Sequence, residues 1–230
     1  MPFPAPPKFK KKMADMACMT DAPFKMQVEV EGSPAPELKW YKDGQMIIES
    51  ERIKVVKESE NSFSLIIERV VIEDSGSYSV VAANSLGQMS EFWQLVANSL
   101  PSFAQSLVKS AEKTEGESVT FQVKADGSPK PTASWRKDGI ELKSDGKNII
   151  IKEEAGLHTL TVNGLKREDA GNYSCLLSNA FGSKEDVAVL RVRAPPLVKQ
   201  GLTDTEVKEG QTDVTFTVTV DSYPEPKITW

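Results

Sequence analysis

Histidine occurs once in this chain, as His158, and cysteine twice, as Cys18 and Cys175. One imidazole and two distant thiols cannot furnish a tetrahedral zinc set, a Ser–His–Asp triad or a Cys–His pair. No G-x-x-x-x-G-K-S/T loop and no kinase-type glycine loop is present to cradle phosphates. Catalytic, metal and cofactor sites are therefore not expected, and the chain does not read as an enzyme. No run of 18 apolar residues exists, so no membrane-spanning helix is expected. The opening MPFPAPPKFKKK lacks the apolar core of a signal peptide. Basic residues are not in excess either: 28 Lys and Arg stand against 33 Asp and Glu, a net charge of −5. Without a basic stripe, nucleic acid is not an expected partner.

What the chain has is a register of 95 residues. Trp40, Trp135 and Trp230 keep that spacing, as do Pro34, Pro129 and Pro224, and Tyr78 and Tyr173. Gly76 and Gly171, Asn84 and Asn179, and Gly87 and Gly182 follow the same offset. A fixed period announces an array of like folding units, and one this long fits a complete β-sandwich. Three units are expected: 1–97, 98–193, and 194–230 as the opening part of a third that stops at its Trp.

The local patterns agree. Val119–Val123 alternates apolar and polar, as a half-buried strand does. Gly127-Ser128-Pro129-Lys130-Pro131 breaks the ladder, because proline has no N–H to give it. Lys137-Asp138-Gly139 predicts a hairpin. Strands are expected at 148–152, 159–165, 174–177 and 187–192. Unit one repeats these signals at Gly32–Pro36, Lys42-Asp43-Gly44 and Asn84–Gly87. Seven or eight short strands with regular turns predict an antiparallel sandwich. The joins carry proline but no Gly/Ser-rich stretch, so a semi-rigid rod is expected. Residues 194–230 are too few to bury a core and are expected to be disordered or sticky.

These residues resemble the immunoglobulin superfamily, I-set type. The Trp falls twelve residues after a strand-B core position. Asp74, Gly76 and Tyr78, and again Asp169, Gly171 and Tyr173, match the tyrosine corner. The fold implied is all-β: tandem immunoglobulin-like (I-set) antiparallel β-sandwiches. In the family a disulfide joins strands B and F beneath the Trp. Here those positions are Val28 and Val80, then Val123 and Cys175, with Val218 opening the third unit, so no unit has the pair. Trp40, Trp135 and Trp230, with Val28, Val80, Val123 and Cys175, are the expected core. A chain that omits the bridge in every unit is expected to come from a reducing compartment. The pattern is similar to the tandem arrays of giant muscle proteins such as titin, twitchin/projectin and obscurin. That resemblance implies a cytoplasmic, sarcomeric scaffold that bears force and binds filament or cytoskeletal proteins. Its rivals are an extracellular adhesion or receptor chain and a regulatory flank of a giant kinase. The partner-binding residues are unknown at this level.

Four features remain. Lys8, Lys10, Lys11 and Lys12 are expected to be solvated on a first strand, with Lys guarding a sheet edge. Met13, Met16 and Met19 are expected on that strand rather than on a short helix. Asn172-Tyr173-Ser174 fits a glycosylation sequon but overlaps the tyrosine corner, and is read as chance. Trp93 has no counterpart at Ala188, and a core or junction place is expected ahead of an exposed docking face.

Overall fold

The computed structural model describes residues 3–229. They fall into two compact units, one from Met1–Leu100 with Gly127–Pro129 and one from Pro101–Asp126 with Lys130–Trp230. Each is a pair of packed sheets.

Unit one contains β1 (Ala5–Phe9), β2 (Met16–Met19), β3 (Phe24–Ser33), β4 (Glu37–Lys42), β5 (Gln45–Met46), β6 (Ile53–Lys57), β7 (Ser62–Ile67), β8 (Gly76–Asn84) and β9 (Gly87–Asn98). One sheet runs β1-β3-β7-β6 and the other β2-β9-β8-β4-β5. Alternation sets which face is buried: Met26, Val28 and Val30 of β3 point into the core while Lys25, Gln27 and Glu29 stay exposed. The opening segment serves both sheets. β1 pairs antiparallel with β3, the chain crosses between sheets over residues 10–15, and β2 then pairs parallel with β9. Met16 and Met19 lie on β2 and Met13 in the crossing, with no helix there.

Unit two repeats the plan with β10 (Ser102–Gln105), β11 (Ser110–Thr114), β12 (Val119–Asp126), β13 (Thr132–Lys137), β14 (Ile140–Glu141), β15 (Ile149–Glu154), β16 (Leu157–Val162), β17 (Gly171–Asn179) and β18 (Gly182–Gln200). Its sheets are β10-β12-β16-β15 and β11-β18-β17-β13-β14. The Asp-Gly hairpin forms because Asp138 and Gly139 both take positive φ, 49° and 82°, which a tight two-residue turn requires. Asp21 stands at φ 63° where unit two has Gly116 at φ 88°, aspartate being among the side chains that tolerate this region.

The expected strands at 148–152, 159–165 and 174–177 are found as Ile149–Glu154, Leu157–Val162 and Gly171–Asn179, and the largest departure is at the last strand. The strand expected at 187–192 is β18, which begins at Gly182 and runs on to Gln200. Its extension pairs with β19 (Thr219–Tyr223), through Leu197 with Asp221 and Val198 with Val220. The Arg167 guanidinium donates to the carbonyls of Pro195 and Asp221 and anchors the extension. Proline did not end the strand because Pro195 and Pro196 fall where the β18–β19 register shifts, a bulge that asks nothing of their missing N–H. Residues 201–218 carry no strand or helix, Val218 among them and half-buried. Trp230 lies outside the described residues.

Candidate functional site

The chemistry of each unit is concentrated at one constellation of core and corner. Trp40 and Trp135 are buried at 2% and 1% exposure. Val28 and Val80 lie in the first core, and Val123 and Cys175 in the second. Trp40 sits opposite Val80 on the neighbouring strand, and Trp135 opposite Cys175. Both cysteines are free. Burial, reinforced by the carboxylates of Asp186 and Glu185, pushes the Cys175 thiol up to about 12, so it stays protonated and unreactive. Cys18, on β2, is raised in the same direction by partial burial and then by Asp74.

The corner residues form one hydrogen-bonded assembly in each unit. The Tyr78 hydroxyl donates to the Asp74 carbonyl at 2.8 Å, and Tyr173 to Asp169 at 2.8 Å. The carboxylates of the same aspartates turn back to accept the Val71 N–H at 2.8 Å and the Lys166 N–H at 2.7 Å. Each aspartate thus fastens both ends of a single 3-10 turn, Ile72–Asp74 or Arg167–Asp169, ahead of the strand. Burial, followed by the neighbouring aspartates, pushes both phenols well above their ordinary range, so they remain donors. Unit one adds a forked ion pair, Arg52 to Asp74 at 2.6 and 3.0 Å. In unit two Lys147 holds the position of Arg52 and, among the described residues, makes no such pair.

The turn aspartates have a second role that sequence reasoning missed. Asp43 accepts the Ser77 N–H at 2.9 Å and returns its own N–H to the Ser77 carbonyl at 2.8 Å. Asp138 does the same with Asn172, at 2.8 Å both ways. A Cβ on Gly76 would stand 2.7 Å from the Asp43 carboxylate, and one on Gly171 2.5 Å from that of Asp138. The corner glycines are therefore needed for this close approach. The hairpin and the corner are one lock, and the 95-residue repetition of K-D-G together with D-x-G-x-Y was its only trace. Lys42 and then the Ser77 N–H lower the Asp43 carboxyl, and the Asn172 N–H and then Lys137 lower that of Asp138.

Trp93 is core. Its ring stacks on Tyr78 with centroids 6.0 Å apart and meets Trp40 edge-on at 6.0 Å. Its indole N–H reaches the Met26 sulfur at 3.0 Å. In unit two Ala188 leaves that space open, and Phe121, the counterpart of Met26, stacks on Tyr173 at 4.9 Å instead. Each corner tyrosine is thus covered by an aromatic ring, delivered from β9 in one unit and from β12 in the other.

Phenylalanine at Tyr173 would remove the hydroxyl and strand the Asp169 carbonyl. Unit two is expected to lose about 1–3 kcal/mol, read as a lowered urea midpoint. An unchanged midpoint would show that the hydroxyl bond adds nothing net.

His158 lies on β16 beside Val123, with its side chain buried and Nε2 unpartnered. Glu153 approaches Nδ1 at 3.7 Å. Burial lowers the imidazole from its ordinary 6.5, against the smaller opposing pull of Glu153. A base depressed in the folded state binds its proton first in the unfolded chain, so stability falls as pH drops below 6.5 towards the native value. His158→Phe, the residue at the matching Phe63, is expected to flatten that decline. Denaturation midpoints between about pH 7 and pH 5 test this, and an equal decline in both proteins counts against it.

The sequence profile of the immunoglobulin I-set domain matches residues 7–96 and again 101–192. The chain belongs to the I-set family. These I-set units are 30% identical to the muscle M-line assembly protein unc-89 of Caenorhabditis elegans, across 98% of this chain but only 3% of that protein. An I-band fragment of titin superposes with a TM-score of 0.61 at 25% identity, covering 94% of this chain and 76% of that one. Extracellular domains 3–5 of Drosophila OTK superpose at 0.56 with 28% identity, covering 82% and 62%. The I-set tandem is thus a structural and interaction module akin to those of muscle proteins. No helix among the described residues is long and apolar enough to cross a membrane.

Proposed function

We propose that this chain is part of an intracellular, muscle-type I-set array that bears force in the sarcomere and binds filament or cytoskeletal proteins. The observation that carries the reading is the pairing of entry and exit strands in each unit. β2 pairs parallel with β9 through Met16–Met19, and β11 with β18 through Ser110–Thr114. Pulling a unit by its two ends loads such a ladder in shear, so its bonds must fail together rather than one at a time. The missing bridge between Val123 and Cys175, and between Val28 and Val80, supports a reducing compartment. Likeness to unc-89 and titin supports muscle. The units 1–97 and 98–193, with 194–230 opening a third, are the array's proposed divisions.

Stretching the chain by its ends in single-molecule force spectroscopy tests the mechanical part. Glu115 donates its N–H to Arg193, so Lys113, of the same parity, also faces β18. Lys113→Pro removes that donor. The rupture force of unit two is expected to fall while that of unit one holds. Equal rupture forces before and after substitution sink the shear-ladder reading.

A second reading is an extracellular adhesion or receptor chain, favoured by the likeness to the OTK extracellular domains. The native transcript on both sides of these codons separates the two. Further cysteine-poor I-set units or a kinase support the muscle array. A signal sequence with a single apolar 20-mer supports the receptor.

A further inference from the structure

The crossing between β1 and β2 leaves one strand edge open. β1 pairs with β3 only from Val30 to Ser33, and the last bond on that side runs from the Lys10 N–H to the Glu29 carbonyl. Val30 faces the other way, donating to Asn61. Since main-chain groups alternate sides along a strand, Gln27 and Lys25 direct their N–H and C=O groups towards the same edge as Glu29. Among the described residues no strand pairs with them there. A cavity of about 590 Å³ lies against this edge, within the range of ligand clefts, about 300–1,000 Å³. Its accessible apolar wall is Met13 and Met16, half-buried and adaptable side chains that suit an incoming apolar group, while Met26 is buried in the core.

Charge chooses among occupants. Lys10 is matched by Glu31 at 3.0 Å and Glu29 at 3.8 Å, and Lys25 by Glu58 at 2.8 Å. Lys11 and Lys12 line the same cavity, are exposed, and make no ion pair among the described residues. Lysines beside an open edge repel basic strands, and pairing with a neutral strand costs the desolvation of their ammonium groups. The same charges favour an acidic strand. In unit two β12 likewise has no strand partner on the matching edge at Thr120 and Gln122 among the described residues. The segment after β10 is held more tightly, however: the Leu107 N–H is bound by Asp186 at 2.8 Å, its side chain is buried at 4% exposure, and Lys109 pairs with the same aspartate. In unit one the matching bond, from the Met13 N–H to Glu91, is 3.3 Å long and Met13 is only half-buried.

We propose that the open edge of β3 in unit one receives a short, extended, acidic segment of a partner protein. The segment adds to β3 as a strand through Lys25 and Gln27. Its carboxylates face Lys11 and Lys12, and one apolar side chain rests on Met13 and Met16. Main-chain pairing supplies affinity in this mode, and the lysines and the methionine wall supply specificity.

The test uses the full chain and a fluorescent heptapeptide of alternating glutamate and valine, with two relatives. One has lysine for each glutamate, and one has N-methylated backbone amides on the pairing side. The acidic peptide is expected to bind and to shift the amide resonances of Lys25 and Gln27. The lysine peptide and the N-methylated peptide are each expected to bind at least tenfold more weakly. Lys11→Glu with Lys12→Glu is expected to cut binding at least tenfold; both side chains are exposed, so the thermal midpoint of unit one should hold. Equal binding of the N-methylated peptide would show adsorption to lysines without strand addition and overturn the proposal. So would binding that ignores the charge reversal. Tighter capture of a single-stranded oligonucleotide or of anionic vesicles, lost on the same charge reversal, would reassign the lysines and overturn it too.

Discussion

Replacing Trp93 with alanine is expected to destabilise unit one by about 3–5 kcal/mol, the range for truncating a large buried aromatic. The ring is 3% exposed and touches three partners at once: Tyr78 face-on, Trp40 edge-on, and Met26 through the indole N–H. Deleting it opens a void against the corner tyrosine, the residue that holds the turn before β8. The loss should appear as a lowered urea midpoint followed by circular dichroism, confined to the transition of unit one. Unit two already contains the alternative solution, Phe121 with Ala188, so adding Met26→Phe to Trp93→Ala should recover part of the loss. A double-mutant cycle measures that coupling. Additive effects in the cycle would mean that the two positions do not share one space.

Cysteine at Val123 is expected to stabilise unit two through a bond to Cys175. Both side chains are fully buried in the same core, on strands of opposite sheets. Cross-linking them closes a loop of about fifty residues, which in the chain-entropy treatment adds roughly 4 kcal/mol. The Cys175 thiol is held protonated by burial. The bond should therefore form readily during oxidative refolding and slowly in the folded protein. Mass analysis without reductant and the urea midpoint, with and without dithiothreitol, read the outcome. Absence of the bond after oxidative refolding would mean that Val123 and Cys175 do not approach in disulfide geometry. A bond without added stability would mean that strain in the native sandwich offsets the loop entropy.

The array and its fold were legible because they rest on residues with no substitutes. A tyrosine two places after a glycine and four after an aspartate, repeated at 95, describes local geometry: one turn, one hydroxyl, one carbonyl. The twelve-residue step from Val28 to Trp40, and from Val123 to Trp135, is likewise set within one hairpin-sized stretch. Such features survive reading in one dimension because their partners are near in sequence or fixed by the strand period of two. The full extent of β18 was not legible. Two prolines at 195 and 196 signalled an end, and only β19, some twenty residues on, supplies the partner that continues the strand. Asp43 and Asp138 read as turn residues, while their bonds to Ser77 and Asn172 join segments 34 apart.

The sequence by itself determined that this chain is a tandem of I-set sandwiches, that neither unit carries the inter-sheet bridge, and which residues form each corner. Only the tertiary structure decided which strand covers each corner tyrosine. Trp93 and Met26 in unit one, and Ala188 and Phe121 in unit two, fill one volume from opposite sheets. Tertiary structure also decided that the crossing beside β3 is loosely held at the half-buried Met13, where unit two buries Leu107. Both outcomes depend on how much space remains once two sheets have packed. Space between sheets is shared among residues from distant strands, and no spacing along the chain records it.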